Sequence, residues 1–213
     1  MNVVYNADCM TGLKDYPDNY FCLAVCDPPY GVNRFKHGET SRLRKYGQLH
    51  TVNDYPFTAE MLAEIQRVSE NQIVWGYNHL SNVLPPCSEF IFWYKHQPVD
   101  TYADGELAWT SFTKTAKCFD YPYFGGTGAD ADGRIHPAQK PVALYRWLFT
   151  KYATTGGAIL DPFLGSGSSR IAAYDMGLDF IGYELDAEYY RQQEERFNVH
   201  SAQGNLFLQD GLF

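Results

Sequence analysis

Between Gly157 and Glu184 the chain runs through a short apolar strand (Gly157 to Leu160), a glycine-rich turn, a helix to about Met176 and a second strand (Phe180 to Tyr183) closed by an acid. That succession is a βαβ unit, which demands two parallel strands joined by a crossover. The turn reads Asp161-Pro162-Phe163-Leu164-Gly165-Ser166-Gly167-Ser168-Ser169. Gly165 and Gly167 let the backbone come close to a ligand. Glu184 follows about twenty residues on, where a carboxylate can accept both hydroxyls of a ribose. The pattern is that of a nucleoside pocket.

Two residues separate this pocket from a dinucleotide site. Arg170 stands where the third glycine of G-x-G-x-x-G would be, and Asp161 puts negative charge at the turn. A pyrophosphate would be repelled there, whereas a ligand ammonium would be welcomed. No Lys follows the glycines, so the turn is not a P-loop. S-adenosylmethionine, with its ammonium, sulfonium and ribose, fits the pocket better than a phosphate cofactor.

A second stretch carries chemistry. The apolar run Phe21 to Cys26 reads as a buried strand of a parallel sheet and ends in Asp27-Pro28-Pro29-Tyr30. Open α/β sheets bind ligands just outside the carboxyl ends of their strands. An exocyclic amino nitrogen on a planar base is a poor nucleophile because its lone pair is delocalised into the ring. The Asp27 carboxylate can accept one of its N–H bonds and the Pro28 carbonyl the other, drawing the nitrogen towards tetrahedral geometry. Pro29 stiffens the turn, and Tyr30 offers a ring face for the base. Taken alone, the four residues also suit an ordinary strand-to-loop turn with Asp27 as a local cap.

The 213 residues amount to one domain, read as residues 1–213, with enough chain for a full core. No apolar run reaches membrane-spanning length, and the start of the chain has no secretory pattern. Five scattered cysteines, odd in number and without a C-x-x-C pair, argue against a disulfide framework or structural zinc and fit a reducing cytoplasm. A net charge of −8 is awkward for a nucleic-acid partner, but it is uneven. Gly31 to His50 holds Arg34, Lys36, Arg42, Arg44 and Lys45 against Glu39, a local +4 that leaves −12 on the remainder. A polyanion can bind the basic segment while the body stays acidic. Gly31 to Pro56 reads as a long mobile loop, functional by its length, although a solvated charge run would look the same.

Further strands are expected at Val3 to Tyr5, Gln72 to Trp75, Phe90 to Tyr94 and Cys118 to Phe124. Helices are expected at Phe57 to Ser69, capped by Thr58, at Pro141 to Tyr152, and from Asp186 to about Phe197, with a peripheral polar tail beyond. Asp104 to Trp109 resists assignment. Pro86-Cys87 resembles a cytosine-C5 nucleophile only superficially, since no acid or base stands nearby; Cys87 reads as structural.

D-P-P-Y, D-P-F-x-G-x-G and the intervening I-H-P-A-Q-K-P at Ile135 to Pro141 together resemble the amino-methyltransferases of DNA, and their order resembles the β class. The resemblance spans most of the chain. It implies a Rossmann-like α/β methyltransferase fold: a seven-stranded, mostly parallel sheet with a terminal β-hairpin, in circularly permuted order. It also implies that Asp161, Phe163, Gly165, Ser166 and Gly167 hold the methionine part of the cofactor, Glu184 the ribose and Asp8 the adenine amino group. His136 and Lys140 match the segment closing over the cofactor, although Lys140 could instead cap a helix. Cys9, Asp27, Pro162, Ser168 and Leu185 complete the expected cofactor contacts, and Asp27, Pro28, Pro29 and Tyr30 form the catalytic set.

The implied activity is methylation of an exocyclic amino group, adenine N6 in the first place, on a base flipped out of double-stranded DNA. Direct transfer needs no metal. Family members carry a larger target-recognition region than is available here in 31–56 and 81–133, which points to a homodimer or a short recognition site. Three alternatives stay open: cytosine N4, which uses the same geometry; RNA or a protein amide; and a DNA-binding relic without turnover.

Overall fold

A computed structural model describes residues 1–31, 55–98, 100–123 and 134–209, the last stretch by backbone alone from residue 204. The basic residues Arg34, Lys36, Arg42, Arg44 and Lys45 lie outside the described residues, as does most of the 31–56 loop.

Among the described residues eight strands form one sheet: β1 (Asn2–Asn6), β2 (Phe21–Cys26), β3 (Gln72–Trp75), β4 (Phe90–Tyr94), β5 (Gly105–Thr110), β6 (Lys117–Asp120), β7 (Ala158–Asp161) and β8 (Phe180–Glu184). Their order across the sheet is β1-β8-β7-β2-β3-β5-β4-β6. Only β5 runs against its neighbours, since it is antiparallel to both β3 and β4 while every other pairing is parallel. The expected seven strands are therefore corrected to eight, and the hairpin is not terminal. β6 adds to β4 at the edge, Ile91 opposite Lys117, and covers what would have been an open strand.

Strand side chains alternate between two buried faces, the mark of a sheet covered on both sides. Leu23 and Val25 of β2 join one core cluster, and Ala24 and Cys26 the other. The first cluster packs under α3 (Val142–Tyr152) and α4 (Ser168–Asp175) through Leu144, Leu148, Phe149, Ile171 and Ala172. The second packs under α1 (Cys9–Gly12) and α2 (Ala59–Val68) through Cys9, Leu62, Ile65 and Val68. Thr58 caps α2 as expected, its Oγ1 accepting the Met61 N–H.

The last helix, α5 (Ala187–Gln209), is longer than its sequence suggested. Asp186 starts it by accepting the N–H groups of Glu188 and Tyr189, and Arg191 pairs with both Glu188 and Glu195 on its exposed face. Such spacing sustains a polar helix, and the polar tail continues it to Gln209.

Two features position the site. β2 and β7 are adjacent and parallel, Ala24 opposite Leu160, so Asp27 and Asp161 emerge at the same edge although 134 positions separate them in sequence. Because β5 is reversed, its start rather than its end lies at that edge, bringing Gly105 and Glu106 opposite Tyr94 and Trp93.

Candidate active site

Past β2, Pro28 is buried, and the chain turns so that Tyr30 reaches back to Asp27. The Tyr30 O–H donates to Asp27 Oδ1 at 2.8 Å, and the Lys140 ammonium pairs with Oδ2. Burial, with the Asp27 charge adding to it, raises the Tyr30 pKa well above its ordinary value, so the hydroxyl stays a donor. The Tyr30 ring stacks on His79 with centroids 5.2 Å apart and lies against Gly76, whose φ of +81° suits glycine.

Lys140 is almost fully buried and lies 3.3 Å from Glu106 Oε2 as well, and Glu106 Oε1 pairs in turn with Lys95. Two ammonium and two carboxylate groups thus form one neutral chain, Asp27–Lys140–Glu106–Lys95. Burial opposes ionisation of Glu106, but Lys140 and Lys95 outweigh it and hold the carboxyl down at about 2. Burial likewise opposes the charge on Lys140, and the Asp27 and Glu106 carboxylates outweigh it, raising the pKa. Lys140, expected in the segment that closes over the cofactor, sets its ammonium on the carboxylate of the D-P-P-Y motif.

The second half of the site is the turn after β7. Asp161 Oδ1 accepts the Phe163 N–H at 3.0 Å and Oδ2 accepts the Ser169 hydroxyl. Burial pushes the Asp161 carboxyl up to about 7 against these hydrogen bonds, with Asp27 and Glu184 adding to the rise. Glu184 at the end of β8 accepts the Gly165 N–H through Oε2 and the Asp186 N–H through Oε1, both at 2.8 Å. Burial raises its pKa as well. Gly165 has φ +54°, and a Cβ there would come within 3.3 Å of the His136 ring. His136, edge-on to Tyr189, accepts the Ala138 N–H on Nδ1 and is held neutral, its pKa pushed down to about 3 by burial, Arg134 and Lys140.

The remaining expected residues surround this turn. Arg196 donates to the Ser166 carbonyl and the Ser168 hydroxyl, at 2.9 Å each, and Gly167 (φ +73°) starts α4. Pro162 is buried, and the Phe163 ring meets Phe57 edge-on. Asp8 caps α1 by accepting the Met10 N–H. Burial, with Asp8 next, pushes the neighbouring Cys9 thiol up to about 12, and Leu185 is exposed. Cys87 packs half-buried against the core, and all five cysteines are free thiols.

Sequence reasoning missed four residues here. Glu106 and Lys95 lie in or beside β5 and β4, strands that carry none of the recognised motifs, His79 is a lone histidine in a loop, and Tyr55 lies in the stretch read as loop. Tyr55 is close enough to Cys9, Asp8 and Glu184 that their charges add to burial in raising its pKa. No motif announces any of them. Three carboxylates (Asp8, Asp161 and Glu184) thus surround a turn in which the positive φ of Gly165 disfavours any side chain. This donor-seeking set fits a ligand bearing ammonium, hydroxyl and amino groups and repels phosphate. S-adenosylmethionine meets that description.

A family model described as DNA methylase, of the N6/N4 methyltransferase type, matches residues 58–195. Among curated proteins the chain is similar to a type II methyltransferase, M2.MboI of Moraxella bovis, 23% identical over 237 residues, covering 92% of this chain and 87% of the relative. Among solved structures it resembles M1.HpyAVI in complex with SAM, with a TM-score of 0.60 at 20% identity over 92% of this chain and 100% of the other. It also resembles the PvuII DNA methyltransferase, described as cytosine-N4-specific, with a TM-score of 0.62 at 15% identity over 91% and 85% of the two chains. At such identities the structural likeness establishes the fold, a Rossmann-like methyltransferase domain.

Proposed function

The chain belongs to the N6/N4 DNA methylase family, and on that premise we propose that it transfers a methyl group from S-adenosylmethionine to adenine N6 of DNA. One observation carries the reading: the parallel pairing of β2 with β7, which sets the D-P-P-Y turn beside the Asp161 turn at one sheet edge. Asp161, Phe163, Gly165, Ser166 and Gly167 would hold the methionine part of the cofactor, Glu184 the ribose and Asp8 the adenine amino group. Each Glu184 oxygen accepts one backbone N–H and keeps a lone pair for a hydroxyl. When bound, the cofactor supplies an electrophilic methyl on a sulfonium.

The residues of the chain then do the rest. A target base inside a duplex cannot reach this edge, so it flips out at a cost of roughly a few kcal/mol. Asp27 accepts one amino N–H and the Pro28 carbonyl the other, and the Tyr30 hydroxyl orients the carboxylate. His79 supports the Tyr30 ring from behind. Positioning is the main catalytic term, with a ceiling of ~7–11 kcal/mol. An aspartate at the head of the motif favours adenine over cytosine. The basic residues Arg34 to Lys45 contact phosphates, and the small recognition regions point to a homodimer or a short site. Among the described residues no helix is long and apolar enough to cross a membrane, and the free thiols suit a reducing cytoplasm.

The test is methyl transfer from labelled S-adenosylmethionine to unmethylated genomic DNA, digested to nucleosides and separated. Label in N6-methyladenosine supports the reading. Label in N4-methylcytosine keeps the mechanism and changes the base. Absence of label in DNA, with cofactor bound, overturns it in favour of RNA, protein or a relic without turnover.

A further inference from the structure

Glu106 has an oxygen to spare where buried oxygens are rarely left with one. Its side chain is about one-third exposed, but Oε2 is buried and accepts no aligned hydrogen bond. Lys140 Nζ stands 3.3 Å from that oxygen and pairs more closely with Asp27 Oδ2. The Lys140 ammonium therefore sits between two carboxylates, nearer to that of Asp27.

That pairing competes with the chemistry expected of Asp27. With Tyr30 on Oδ1 and Lys140 on Oδ2, each oxygen of the carboxylate already holds one donor and keeps one lone pair. An incoming amino N–H binds more strongly to an oxygen whose charge the ammonium no longer offsets. Pushing a buried ammonium into an apolar surrounding would be prohibitive, so the ammonium needs another acceptor within reach. Glu106 Oε2 is that acceptor. Lys95 pins Oε1 and fixes the carboxylate in place, and the Trp75 ring, 5.3 Å from Lys140 Nζ, offers the moving charge an aromatic face. Because the four charges sum to zero, the ammonium can change partner without altering the net charge buried.

Resting on the amino-methylation reading above, we propose that Glu106 is a positioning residue: it takes over the Lys140 ammonium when the target amino group enters, and so releases an oxygen of Asp27 for the base. The transfer involves no proton and no covalent step. One ion pair shortens as another opens.

Two experiments decide the matter, one independent of activity. In a crystal structure of Asp27→Asn, Lys140 Nζ is expected to close from 3.3 Å to about 2.8 Å from Glu106 Oε2 and to leave residue 27; an ammonium still nearer to residue 27 than to Glu106 overturns the proposal. In solution, Glu106→Gln keeps the shape but removes the negative charge that draws the Lys140 ammonium off Asp27. Methyl transfer to genomic DNA at saturating cofactor should fall about 30-fold or more, with the cofactor KM within about threefold of wild type. Removing that ammonium should restore turnover, so Glu106→Gln combined with Lys140→Gln is expected to exceed Glu106→Gln alone by about fivefold or more. A merely structural network predicts the reverse, losses that add, and a double variant no faster than Glu106→Gln overturns the proposal. If wild type leaves no label in DNA, the amino-methylation reading has failed, and the Asp27→Asn structure still decides whether the ammonium changes partner.

Discussion

The Tyr30 ring lies so close to Gly76 that a Cβ on the glycine would fall 2.2 Å from Tyr30 Cε1. Gly76 also has φ +81°, a conformation that costs a non-glycine residue roughly 1–2 kcal/mol. Gly76→Ala should therefore do two things: lower stability by about that amount, and push Tyr30 off its hydrogen bond to Asp27. Methyl transfer should fall about 100-fold, while Tyr30→Phe, which keeps the ring and loses only the hydroxyl, falls about tenfold. Thermal melts and transfer rates on the two variants check the order. A Gly76→Ala protein as active as wild type would show that the ring position does not matter.

Asp27→Ala separates chemistry from cofactor binding. The carboxylate serves the base, so transfer should drop by more than about 1,000-fold while S-adenosylmethionine affinity changes less than about threefold. The same variant strands the Lys140 ammonium, and breaking a buried pair ordinarily costs about 3–5 kcal/mol. Glu106 lies ready to accept the ammonium, so the measured loss of stability should fall well below that range. Denaturant unfolding and calorimetric titration give both numbers, and retained turnover would falsify the assigned role of Asp27.

These residues show where the sequence is legible and where it is not. The all-apolar run of β2, the glycine turn and the carboxylate at the end of β8 announce themselves because each is a local pattern with a local cause. β5 does not. Gly105-Glu106-Leu107-Ala108-Trp109-Thr110 opens with a glycine and a charge, features that read as loop, and only pairing with β3 on one side and β4 on the other makes it a strand. Its reversal then carries Glu106 to the site, a consequence of topology that no window of sequence contains. Lys140 is similar. Its motif places it near the cofactor turn, but its partner is chosen by which carboxylate the folded segment reaches. Asp186 and the Arg191 pairs could have signalled the full length of α5, since no proline interrupts the helix.

Asp161 predicts a pH dependence of cofactor affinity. Burial pushes its carboxyl up to about 7, so below that value the ligand-free protein holds a proton there. A ligand ammonium favours the ionised form and expels the proton. Affinity should then rise up to about tenfold per pH unit below 7 and level off above it. Calorimetry in buffers of different ionisation enthalpy should register the released proton. The same group acts on stability with the opposite sign. An unfolded aspartate ionises near about 3.9, so between roughly pH 4 and 7 the native state holds a proton that the unfolded chain has lost. The contribution of Asp161 is fully present below about pH 4 and is lost as pH rises through 7. Asp161→Asn should flatten both profiles, and unchanged profiles would remove Asp161 as their cause.

Arg42, Arg44 and Lys45 supply the last prediction, which concerns the duplex rather than the base. The described surface belongs to a chain of net charge −8, so attraction to a polyanion has to be local, and these three belong to the basic run from Gly31 to His50. Each phosphate deprived of its basic partner lowers the slope of log affinity against log salt by about 0.9. Replacing all three with Ala should therefore weaken DNA binding and flatten the slope by up to about 2.7. Fluorescence anisotropy across a salt series measures the slope directly. An unchanged slope would return the segment to solvent and send the search for the phosphate-binding surface elsewhere on the sheet edge that carries Asp27.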